Sequence, residues 1–158
     1  MTSEIIPDTA LGLRLLERLE QLTTDRPGVT RTAYGTGEEL GHRLVKEFAQ
    51  DLDIEATQDF AGNTYLTRVG RDRRAGAIVI GSHMDSVPHG GNYDGAAGVA
   101  AGLAVLSGMD SAGVELECSI TVMAIRAEES CWFPASYIGS RMALGRLPPK
   151  THRAAGAR

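Results

Sequence analysis

The sequence predicts an α/β fold in which a mixed sheet is flanked by helices. Three observations carry this. Apolar residues recur at helical spacing in two early stretches, two short and continuously apolar runs follow, and a segment rich in glycine and alanine separates those runs. Leu11, Leu15, Leu16, Leu19 and Leu22, behind Asp8 as N-cap, predict an amphipathic helix over 8–22. Arg26-Pro27-Gly28 predicts a turn. Leu40, Leu44, Val45 and Phe48 form one stripe, which predicts a second helix over 37–51. Strands are expected over 54–60 and 63–69, joined at Ala61-Gly62, with an exposed basic turn at 70–74. Ala77-Ile78-Val79-Ile80 runs into Gly81-Ser82-His83 and reads as a strand buried on both faces. The glycine- and alanine-rich stretch 95–109 predicts a helix slim enough to lie close against a sheet, and 118–125 a further buried strand leading to Glu128-Glu129. Residues 148–158 show no periodicity and are expected to form an irregular tail.

The chain has 158 residues, 42% of them hydrophobic, enough for one packed domain and too many for a disordered tail. The net charge is −4 and the basic residues form no run that would follow a phosphate backbone, so nucleic acid is not an expected partner. No apolar stretch approaches the roughly 20 residues that cross a bilayer, which argues against membrane insertion. Two cysteines and an N-terminus with neither a basic start nor an apolar core point to a cytoplasmic protein.

Three clusters carry chemistry. In Gly81-Ser82-His83-Met84-Asp85, positions 83 and 85 share a face if the strand continues, so the carboxylate of Asp85 can orient the His83 imidazole, as beside many bound metals. Alone, such a pair is more often an ordinary surface or core hydrogen bond. Asp94 stands in the glycine-rich turn Gly90-Gly91-Asn92-Tyr93-Asp94-Gly95, where an Asp-Gly turn is the bland alternative. Glu128 and Glu129 follow an apolar strand directly. Two acids at a buried strand end must be solvated, paired or bound to cations, and adjacent side chains point apart, so one can ligate a metal while the other handles a proton.

Taken together, GSHMDSVPHGGNYDGAAGVAAGL, then EES, then YIGSRMALG resemble the N-carbamoyl-L-amino-acid amidohydrolase, allantoate amidohydrolase and β-ureidopropionase branch of the dinuclear zinc aminoacylase and carboxypeptidase G superfamily. Gly28-Val29-Thr30-Arg31 and Ala61-Gly62-Asn63-Thr64 extend the resemblance to roughly 28–147. It implies two divalent metal ions, zinc or manganese or cobalt. His83 would hold one, Glu129 the other and Asp94 both, with Asp85 orienting His83 and Glu128 as general acid and base. The implied reaction is hydrolysis of a linear, non-peptide C–N bond in a small amide, carbamoyl or ureido substrate by a metal-bridging hydroxide. An aminoacylase or aminopeptidase of the same superfamily is the alternative, and a non-enzymatic interaction module a remoter one.

The resemblance further implies that 1–147 form the N-terminal part of a zinc-peptidase-like catalytic domain. The lid and dimerisation domain of the homodimeric relatives and the downstream histidine ligands are not among these residues, so the chain alone is expected to be inactive. After the paired acids it departs from the family in Ser130-Cys131-Trp132-Phe133-Pro134, where Trp132 either shapes a substrate pocket or packs in the core. Cys118 and Cys131 read as small hydrophobes, His42 and His152 as solvated, His89 as carried on a surface turn, and Arg141 as either near the site or on a helix surface.

Overall fold

A computed structural model describes residues 4–148, so the expected tail lies, beyond Pro148, outside the described residues together with His152. Helix α1 (Thr9–Thr23) begins where Asp8 accepts the Leu11 N–H at 2.9 Å, the N-cap the sequence predicts. It buries Leu11, Leu15, Leu16 and Leu19, each contributing roughly 1.5–3 kcal/mol of hydrophobic stabilisation. Leu22 departs from expectation and is 46% exposed, although it lies in phase with Leu15. A tight hairpin follows, β1 (Thr24–Asp25) and β2 (Gly28–Val29), around Arg26-Pro27. Helix α2 is Thr36–Asp51, and β3 (Glu55–Gln58) and β4 (Thr64–Arg68) form the expected antiparallel pair.

Strand β5 (Ile78–His83), helix α3 (Ala96–Ser111) and strand β6 (Ile120–Ile125) form a parallel β-α-β unit, and α4 (Ile138–Ala143) comes last. The sheet order is β3-β4-β6-β5, antiparallel but for the β5/β6 pair. One core cluster joins α1, α2 and α3 to Leu66, Val122 and Ala124 of the sheet. The glycines of α3 are what allow the close approach: a Cβ on Gly102 would meet Val122 at 2.8 Å. No described helix is long and apolar enough to cross a membrane.

Two expectations are corrected. Strand β5 is not buried on both faces: it pairs only with β6, and Ile78, Val79 and Ile80 are 54%, 55% and 41% exposed. Its composition suits an interior strand, but among the described residues nothing lies on its outer side. His42 is fully buried rather than solvated. Its Nδ1 lies 2.9 Å from the Thr64 hydroxyl and its Nε2 has no partner, so the cheapest state is a neutral ring with the proton on Nδ1. Burial, reinforced by Arg126 and Lys46, pushes the His42 pKa down to about 3.

Both features make predictions. The unpaired apolar edge is a template for self-association, so Val79→Lys is expected to lower the apparent mass of concentrated protein in light scattering. Since folding depresses the pKa of His42, its contribution to stability is present above about pH 6.5 and is lost as pH falls toward about 3. Urea unfolding at about pH 7 and about pH 5 should show His42→Leu flattening the dependence by up to about 1.4 kcal/mol per pH unit; an unchanged slope would sink the assignment.

Candidate metal centre

Parallel pairing sets His83 opposite Ile125, so the segments leaving β5 and β6 emerge side by side at the carboxyl end of the sheet. Beyond β5 lies Asp85, fully buried. Its Oδ1 accepts the Glu128 N–H and its Oδ2 the Glu129 N–H, both at 3.0 Å, while Oδ1 also lies 3.4 Å from His83 Nδ1. Burial alone would raise its pKa, but His83 and the two amides overcome that and hold it below the usual carboxylate range.

His83 Nδ1 stands 3.0 Å from the main-chain oxygen of Asp85, which can only accept, so Nδ1 carries the proton and Nε2 presents a lone pair. That lone pair faces acids: Nε2 is 3.7 Å from Asp94 Oδ1 and 3.7 Å from Glu128 Oε2. Donor atoms of His83, Asp94 and Glu129 all lie within 4.8 Å of one another. A lone pair amid carboxylates is repulsive unless a cation or a second ring proton joins them, and the same clustering shifts the pKa values. Burial would lower the His83 pKa, yet Asp85 and Glu128 raise it; Glu129 is raised by burial and by Asp94. Donors on one zinc ion lie roughly 3–4 Å apart, so these residues fit a divalent metal after small side-chain movements.

Asp94 arrives on the loop before α3, and Gly95 makes the approach possible. Gly95 has φ 66°, and a Cβ there would lie 2.5 Å from the imidazole of His83. The loop is held from below by Arg31, a fully buried guanidinium that donates to the carbonyls of Met84 (2.7 Å), Asn92 (3.3 Å) and Asp94 (3.1 Å) and to Asn92 Oδ1 (3.2 Å). The sequence pairs Arg31 with a motif but gives it no role; its hydrogen-bonding partners lie 53 to 63 residues away.

Adjacent acids in an extended chain would point apart, but here both carboxylates reach the space beside His83. The reason is the turn before them. Ala127 adopts a left-handed φ of 50°, and Asp85 captures the two following amides. Trp132 spends its indole N–H on the Ser86 carbonyl (2.9 Å) and packs in a second apolar cluster with Ala33, Ala127 and Ile138, so it is a packing residue. Cys131 is exposed and Cys118 half-buried, both free; burial and Glu129 push the Cys131 thiol up, away from the reactive thiolate. His89 sits at the surface against Asp25, and Arg141 lies over the Tyr137 ring.

Set beside known proteins, residues 63–154 match the profile of peptidase family M28. The chain belongs to that family. An N-carbamoyl-L-amino acid amidohydrolase of Geobacillus stearothermophilus is 36% identical over 143 residues, covering 88% of this chain and 35% of that protein. A ureidoglycolate hydrolase of Oryza sativa subsp. japonica is 31% identical over 119 residues, covering 75% and 25%. The crystal structure of a hydantoinase/carbamoylase family amidase from Burkholderia ambifaria superposes with a TM-score of 0.86 at 31% identity, covering 92% of this chain and 36% of that one. The resemblance read from the motifs and the mixed α/β fold are both borne out, and this M28 chain spans about a quarter to a third of the length of these relatives.

Asp85 is the residue on which the geometry turns. Asp85→Asn leaves one acceptor oxygen for two amides and sets an NH2 against a backbone N–H, so urea unfolding should show a loss of about 2 kcal/mol or more. A loss under about 0.5 kcal/mol would show that the amides do not depend on the carboxylate.

Proposed function

We propose that this chain carries the metal-binding part of an amidohydrolase that cleaves linear, non-peptide C–N bonds, such as those of N-carbamoyl amino acids or ureido compounds. The carrying observation is the donor set of His83, Asp94 and Glu129, drawn within 4.8 Å, with the carboxylate of Glu128 beside it. The names of the relatives supply the substrate class. Two ions of zinc, manganese or cobalt are the proposed cofactors, His83 serving one, Glu129 the other and Asp94 both. When bound, they would polarise the scissile carbonyl and make water easier to deprotonate.

The chain's own residues do the rest. Asp85 fixes the His83 ring with Nδ1 protonated, which keeps Nε2 available as a donor. Asp94 and Glu129 supply negative charge. Glu128 takes a proton from the attacking water and returns it to the departing nitrogen, which needs a carboxylate that is near the donor set but not part of it. Asp94 shared between two ions would give each two protein ligands among the described residues, one fewer than catalytic zinc normally holds. The chain alone is therefore expected to bind metal weakly and to turn over little. We place it in the cytoplasm, where Cys118 and Cys131 stay reduced.

Calorimetric zinc titration should show weak, reversible binding, weakened at least about tenfold further by Glu129→Ala and left within about threefold by Glu128→Gln. Equal affinity in wild type and Glu129→Ala would count against the site. Ammonia release should be assayed with N-carbamoyl amino acids, ureidoglycolate and allantoate, beside N-acyl amino acids and dipeptides, since the family name includes peptidases. Robust turnover of any of these by the isolated chain would overturn the ligand count, and cleavage of dipeptides alone would overturn the substrate class.

A further inference from the structure

Four consecutive amides, Arg126 to Glu129, each donate to a side chain from elsewhere in the fold. Arg126 N–H goes to Asn63 Oδ1 (2.9 Å), Ala127 N–H to Glu38 Oε1 (2.8 Å), and the amides of Glu128 and Glu129 to Asp85. Asn63, Glu38 and Asp85 are all fully buried. Of the three, Glu38 is the least expected: a carboxylate on the core-facing side of α2 with no water to solvate it.

Its contacts explain why it is there. Glu38 Oε2 accepts the Tyr34 N–H at 2.6 Å and pairs with Arg126 Nη1 at 3.1 Å. Tyr34 and Ala127 both have left-handed backbones, at φ 55° and 50°. Such a conformation costs a non-glycine residue roughly 1–2 kcal/mol and persists only where the surroundings over-determine it. One carboxylate therefore holds two strained residues and the guanidinium of a third. Arg126 also donates through Nε to the Gly62 carbonyl (2.8 Å), so the clamp runs from Glu38 on α2 to the turn bearing the acids.

We propose that Glu38, together with Arg126, is a positioning residue for the Glu128-Glu129 pair, setting the left-handed Ala127 turn that brings both carboxylates beside His83. This rests on the metal reading above only for its functional consequence; the clamp itself is a property of the metal-free fold. Glu39 serves as control, since it meets the same arginine but from the surface and touches no amide of the turn.

Glu38→Gln keeps the shape, but its amide must set an NH2 either against Ala127 N–H or against Tyr34 N–H and Arg126. Two readouts test it in the whole chain. Amide hydrogen exchange without metal should speed up by about tenfold or more at Ala127, Glu128 and Glu129 while Leu15 and Leu103 keep their protection. Zinc affinity by calorimetry should fall by about tenfold, in the range found when the supports of metal ligands are removed. Glu39→Gln should change neither by more than about twofold. Unchanged protection at 127–129 in a folded Glu38→Gln protein overturns the proposal. Should that variant lose core protection as well, Glu38→Asp, which keeps the charge and shortens the reach, decides: local loss at Ala127 supports the proposal, and global loss again overturns it, since that marks general stability. A wild type that binds no zinc but shows the expected exchange pattern refutes the metal reading and leaves the clamp standing.

Discussion

The Asp85 carboxylate ties the two strand ends together. One oxygen stands against the His83 imidazole and both take amides from the turn after β6, so the donors from β5 and the acids from β6 share a single reference point. A fully buried carboxylate is costly unless its lone pairs are filled, and here they are filled by the groups whose placement the site requires. Its stability and the geometry of the site are therefore not separable. Removing the charge frees the acid turn and leaves the imidazole held by the Asp85 main-chain oxygen alone.

Around it the site is framed by two buried arginines. Arg31 collects the carbonyls of the loop that presents Asp94, and Arg126 engages Glu38 beneath the turn that presents Glu128 and Glu129. A cluster of acids would otherwise repel itself apart without a cation. Burial lowers the Arg31 pKa and the nearby Asp85 and Asp94 oppose that only in part, but the buried guanidinium still balances some of the negative charge before any metal enters.

The donors themselves could be read from the sequence because they sit in short motifs at the ends of recognisable strands. Local pattern leaves His83, Asp94 and Glu129 open to bland readings, and the family resemblance singles them out as the proposed donors. Asp85 was legible beside His83, but Arg31, Glu38 and Arg126 were not, because they reach their partners across 53 to 89 residues of chain. A signal for them did exist on α2, where Glu38 and His42 fall in phase with Val45 and Ala49 on the stripe that faces the core. Polar residues on an apolar stripe are the ones most in need of a partner. Strand β5 failed for the opposite reason: its apolar run reports a preference for burial, which depends on neighbours that sequence alone does not place.

The relation between Arg31, Glu38 and the family profile bears on what counts as a unit here. The profile begins at Asn63 and takes in every proposed metal donor. Yet two of the side chains that frame those donors lie upstream of it, Arg31 just after the hairpin and Glu38 on the second helix. A segment excised at the profile boundaries would keep the ligands and lose their frame. The first sixty residues in this sense brace the candidate centre from outside the profile, and any recombination or design that treats them as an exchangeable leader would remove Arg31 and Glu38 without touching one of the proposed ligands.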